Sequence, residues 1–78
     1  MFKMNIKLNS INDVKEFVQI MSTIPFDVDI VSGRYIIDAK SIMGIFSLDL
    51  STVKQLSLHT DNRDEIDSVK NKITKFLV

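Results

Sequence analysis

The sequence predicts an α+β domain, a four-stranded and mostly antiparallel sheet covered on one face by two longer helices and one short one. Three observations carry that prediction. Phe2, Met4, Ile6 and Leu8 alternate with Lys3, Asn5, Lys7 and Asn9, a period of two that marks a strand with one buried face. Ile11, Val14, Phe17, Val18 and Met21 then follow at helical spacing, with Asp13, Lys15, Glu16 and Gln19 mostly on the other side. The later apolar runs read strand, strand, short helix, strand, helix, and strands with one apolar and one polar face fit an antiparallel sheet whose helices share one side.

Each element has its own local grounds. Ser10 is a favoured N-cap for the first helix, and Asp13 suits its positive end. Pro25 lacks an amide hydrogen and disfavours a helical Ile24, so that helix should end by about Thr23. Phe26, Val28 and Ile30 alternate with Asp27 and Asp29 as a second strand. Ser32-Gly33 is a tight-turn signal, and Arg34 to Ile37 is the returning strand. On the solvated face, Lys3 and Lys7 of the first strand are expected to offset Asp27 and Asp29 of the second. A loop from Asp49 to Thr52 leads to a fourth strand in which Leu56 and Leu58 alternate with Gln55, Ser57 and His59. Thr60-Asp61-Asn62 supplies capping chemistry for a last helix bearing Ile66, Val69, Ile73, Phe76 and Leu77 on one stripe, with the chain ending inside it.

Composition narrows the function. The 78 residues form a single domain, residues 1–78, and a 45% hydrophobic content suffices for one small core. Ten basic residues balance ten acidic ones, so no net field draws in nucleic acid or an anionic membrane. Absence of cysteine removes disulfides and thiolate metal sites and fits the cytosol. Residues 1–7 contain no long apolar run, so neither a signal peptide nor a membrane span is expected there. No nucleophile with a neighbouring base can be assembled from the spacing, and no cofactor or metal is implied; the reading is that of a non-enzyme. His59, the sole histidine, is read as a surface residue.

The stretch Asp38 to Ser51 stands apart. A helical turn starting at Ser41 would let the serine cap the free N–H groups of Ile42 to Gly44, and Gly44 keeps that helix brief. Residues three and four apart share a face on so short a helix, so Ile42, Ile45 and Phe46 can cluster with Met43 beside them. Ile45 and Leu48 are assigned to the core. Ile42, Met43 and Phe46 are expected to be at least partly exposed, as suits adaptable protein contacts.

Lys40-Ser41-Ile42-Met43-Gly44-Ile45-Phe46-Ser47-Leu48 resembles the segment around the regulatory serine of HPr, the small phosphocarrier of the bacterial sugar phosphotransferase system. The order of elements also matches the HPr fold, an open-faced β-sandwich, over nearly the whole chain. The resemblance implies a serine, here Ser41, phosphorylated in Gram-positive-type relatives by a dedicated kinase. It also implies a docking patch that maps onto Lys40, Ile42, Met43 and Phe46. HPr-like carriers hold phosphate on a histidine in the loop between the first strand and first helix, in a motif resembling Gly-x-His-x-Arg-Pro. The corresponding Asn9-Ser10-Ile11-Asn12-Asp13-Val14 has no histidine, arginine, glycine or proline. Phosphocarrier activity through that loop is therefore rejected.

The sequence thus reads as a cytoplasmic, non-catalytic HPr-like regulatory domain, comparable to the catabolite-repression HPr paralogues that also lack the histidine. An HPr kinase/phosphorylase and a transcriptional regulator of carbon use are the partners the resemblance implies. Two alternatives stay open: a phosphocarrier using an atypical acceptor such as His59 or Ser10, and a structural HPr-fold module unconnected to sugar transport.

Overall fold

Three short polar side chains start the three helices. Ser10 Oγ accepts the Asp13 N–H at 3.1 Å and opens α1 (Ile11–Met21). Ser41 Oγ accepts the Gly44 N–H at 3.2 Å and opens α2 (Ile42–Phe46). Asn62 Oδ1 accepts the Glu65 N–H at 3.1 Å and opens α3 (Arg63–Lys72). Each contact satisfies a donor that no intrahelical carbonyl can reach. At the far end of α1 the Ser22 and Thr23 hydroxyls donate to the Val18 and Ile20 carbonyls at 2.8 and 2.7 Å, closing the helix ahead of Pro25.

The structure, a computed structural model, describes residues 1–78. Its strands are β1 (Phe2–Ile6), β2 (Val28–Ser32), β3 (Tyr35–Asp38) and β4 (Lys54–Leu58). They hydrogen-bond in the order β1-β4-β2-β3, every neighbouring pair antiparallel. β1 and β2 are therefore separated by β4, which corrects the expected offset of Lys3 and Lys7 by Asp27 and Asp29. Lys3 and Asp29 both face Ser57 across β4, and Asp27 precedes the strand. Asp29 is instead paired with His59, Nε2 to Oδ2 2.8 Å.

Some boundaries differ from the sequence expectation for identifiable reasons. Phe26 lies ahead of β2, half-buried against the core. The hairpin loop is Gly33-Arg34, and Ser32 pairs with Tyr35, so β3 starts one residue later than expected. Gly33 takes φ +58° and is the only residue with positive φ, which places the glycine at the first central position of a two-residue turn.

One face of the sheet carries the core. Ile6, Val28, Ile30, Leu56 and Leu58 meet Val14, Phe17 and Met21 of α1, Ile45 of α2 and Val69 of α3, all buried. Phe2 and Met4 are only half-buried, and Ile11, read as part of the apolar stripe, is exposed in the first turn of α1.

The C-terminal stretch also departs from the expectation. The last helix stops at Lys72, Thr74–Phe76 makes one 3₁₀ turn, and Leu77 bridges Ile6. The reason is that the free edge of β1 offers backbone partners. Lys7 N–H donates to the Phe76 carbonyl at 2.9 Å, and Val78 N–H donates to the Asn5 carbonyl at 3.2 Å. The detour also seats the Phe76 ring edge-on to Phe17, centroids 5.8 Å apart at 80°, an arrangement aromatic quadrupoles favour.

Phe76→Ala is expected to lower the free energy of unfolding by about 3–5 kcal/mol, the usual loss for a buried aromatic. Urea titration measures the loss, and hydrogen exchange should show the Lys7 amide losing protection as the tail leaves β1.

Candidate functional site around Ser41

The approach to α2 is built by backbone contacts at the end of β3. Asp38 accepts the Lys40 N–H on Oδ1 at 2.9 Å and the Ser41 N–H on its carbonyl at 3.0 Å. Ala39, fully buried, ties the turn back to the sheet through its N–H on the Val28 carbonyl at 2.9 Å. Lys40 is half-buried and donates from Nζ to the Ile24 carbonyl at 2.8 Å. Its ammonium thus joins the start of α2 to the segment leaving α1.

Gly44 decides how closely α2 can lie on the sheet. A Cβ there would stand 2.6 Å from Ile37 Cγ2 and 3.1 Å from Ser41 Oγ. The glycine read as a limit on helix length is also what lets the helix backbone rest on β3. With α2 seated, its apolar residues divide by spacing of three. Ile42 and Ile45 turn inward, half-buried and buried, and Leu48 packs half-buried behind them. Met43 and Phe46 turn outward with 75% and 36% of their surfaces exposed. Ser41 is half-buried at the head of this ridge.

Behind α2 the chain folds around a cation. Lys54, on the apolar face of β4, is buried, and its Nζ donates to the Asp49 carbonyl, the Thr52 carbonyl and Thr52 Oγ1. All three ammonium donors are thereby used. Burial pushes the Lys54 pKa down, opposed in part by the charge of Asp49. Ser51 donates to Asp49 Oδ1 from its hydroxyl at 2.7 Å and its N–H at 2.9 Å, and these bonds hold the Asp49 carboxyl below the usual carboxylate range. Sequence reading did not single out Lys54. The signal was its place two and four residues before Leu56 and Leu58, on the face where apolar residues belong.

The loop between β1 and α1 is closed on itself. Ser10 caps the helix while Asp13 Oδ2 accepts the Asn9 N–H at 2.9 Å, so a carboxylate and a hydroxyl already occupy the helix start. No basic side chain lies in residues 9–14. His59 is elsewhere, exposed just past β4 and held by Asp29 on the helix-free face. No three His, Cys, Asp or Glu side chains converge in a metal-binding arrangement, and no helix is long and apolar enough to cross a membrane.

A small antiparallel sheet in the order β1-β4-β2-β3, with its helices on one face and a serine-capped short helix after β3, defines the HPr-type open-faced fold. The chain belongs to the HPr family of the phosphotransferase system: the family model described as "PTS HPr component phosphorylation site" matches residues 11–77. A solved structure, HPr-C-His from Thermoanaerobacter tengcongensis, superposes with a TM-score of 0.75 at 26% identity, covering 96% of this chain and 93% of that one. No curated protein matches the chain.

Two predictions follow from the geometry. Gly44→Ala, which helix propensity alone would make favourable by about 1 kcal/mol, should instead destabilise by about 1–3 kcal/mol, because the new methyl collides with Ile37. Denaturant melts of the two proteins read the sign directly. Asp49, depressed in the folded state, lends stability that is present above its unfolded pKa of about 3.9 and is lost as pH falls through the lower folded value. Asp49→Asn should therefore flatten the acid limb of a stability-versus-pH curve, most visibly below about pH 4.

Proposed function

We propose that this chain is a non-catalytic HPr-type regulatory domain of the cytoplasm, recognised by other proteins at the α2 ridge and controlled by phosphorylation of Ser41. The reading rests on one observation. Met43, the most exposed of the large apolar side chains, stands with Phe46 beside a half-buried serine at the head of α2. Ile42 contributes the inner edge of that ridge, and Lys40 fixes where it starts. The first loop supports the same reading, since its helix start is filled by Asp13 and it offers no imidazole.

A phosphate on Ser41 would add about −1.5 to −2 charges at a helix start, next to the two exposed apolar side chains. The buried Ile45 lies on the opposite side of α2, with Leu48 half-buried past its end, so the modification alters the docking surface without repacking the interior. Partners of the matching kind are an HPr kinase/phosphorylase, which would modify the serine, and a transcriptional regulator, which would read it.

The test is incubation with an HPr kinase/phosphorylase and ATP, which should add one acid-stable phosphate that Ser41→Ala abolishes. Met43→Asp, at the most exposed position of the ridge, should weaken kinase or regulator binding by about tenfold or more while leaving the melting curve near wild type, and Phe46→Asp should weaken it likewise. Parallel incubation with phosphoenolpyruvate and the first enzyme of the phosphotransferase system should leave the chain unmodified. Any phosphate acquired there would overturn the reading in favour of a carrier, acid-labile if His59 holds it and acid-stable if Ser10 does.

A further inference from the structure

The two edges of the sheet are treated differently. The β1 edge is covered at residues 5–7 by the chain's own residues 76–78. The β3 edge is bare. It carries no proline, bulge or lysine of the kind that blunts exposed strands, and Tyr35 and Ile36 are 67% and 70% exposed. The Ala39 N–H bond to Val28 and the antiparallel register mean that residues 35, 37 and 39 direct their backbone groups toward β2. Ile36 consequently directs both its backbone groups outward, away from the sheet, and Asp38 directs its N–H outward, its carbonyl being taken by the Ser41 N–H at 3.0 Å.

Charge gives this edge a specific partner. Asp38 lies directly opposite Asp29, a repulsive cross-strand pair, and Asp29 has His59 whereas no side-chain cation reaches Asp38. Arg34, exposed at the hairpin turn, has no ion-pair partner within the chain. Arg34 and Asp38 sit two residues on either side of Ile36. An antiparallel strand with the same sequence, aligned so that Ile36 opposes its own copy, therefore sets Arg34 opposite Asp38 at both ends. Parity permits this register, because pairing of Ile36 with Ile36 brings outward-facing N–H and carbonyl groups together. Aligning Ile36 with Ile37 does not. Shifting by two residues in either direction satisfies parity but loses both opposite-charge pairs.

We infer that β3 is a self-association edge: two copies of this chain pair antiparallel about Ile36, joining their sheets into one of eight strands, with Arg34 of each copy against Asp38 of the other. The contact lies away from Met43 and Phe46 and does not rest on phosphorylation, although it shares Asp38 with the turn that leads into α2. Few residues take part on each side, far fewer than the 20–30 of a standard interface, so the association is weak and reversible.

Sedimentation and amide shifts of the full chain, taken from about 10 μM to about 1 mM, should show a dimer forming with concentration. The shifts should centre on Ile36 and Asp38. Arg34→Glu and Asp38→Arg each set like charges opposite one another and should weaken self-association by about tenfold. An equimolar mixture of the two variants restores opposite charges at both ends and should dimerise at least as well as the wild type. A wild-type chain that stays monomeric at the highest concentration overturns the inference, as do shifts centred on another surface. A mixture no better than the separate variants, with both folded by circular dichroism, overturns it as well.

Discussion

Everything displayed by this domain depends on how closely one turn of helix can approach a strand. Ile45 reaches the core only if the α2 backbone lies on Ile37, and at 2.6 Å from that methyl there is no room for a Cβ on residue 44. The same approach fixes the rotation of α2. With Ile42 and Ile45 directed inward, residues 43 and 46 have nowhere to go but outward, and Ser41 is left at the helix start. A wider spacing would cost the buried contact and turn the ridge, so the glycine, the buried isoleucine and the exposed methionine are one constraint seen from three sides.

Much of this was legible because short-range signals agreed with the final packing. The period of two in β1, the serine caps of α1 and α2 and the Pro25 stop each act within a few residues, and tertiary contacts did not override them. What was not legible arises from contacts distant in sequence. β4 inserts between β1 and β2, which no local pattern announces. The stripe Ile73, Phe76 and Leu77 has helical spacing, yet the backbone leaves the helix because β1 has unpaired amide and carbonyl groups at its edge. Within the site, the spacing brought residues 42, 45 and 46 together, while seating against β3 grouped 42 with 45 and 43 with 46.

The chain retains the fold of its family while changing the chemistry of the first loop. That loop has no histidine or basic side chain, and the helix start is closed by Ser10 and Asp13. Residues 9–12 there are exposed and Leu8 alone reaches the core from that loop, whereas α2 is bound to the core by Ile45 and held at its head by Lys40. The first loop and the seating of α2 are thus structurally independent.

Lys54 has a consequence of its own. A buried ammonium surrounded by two carbonyls and a hydroxyl behaves like a bound metal ion that cannot diffuse away, since the polypeptide supplies both the cation and the oxygens. Greasing that strand position would ordinarily improve a small core. Here it would remove the cation that holds the Asp49 and Thr52 carbonyls and the Thr52 hydroxyl together, so a more hydrophobic residue 54 would leave the loop that follows α2 without its tie to the sheet.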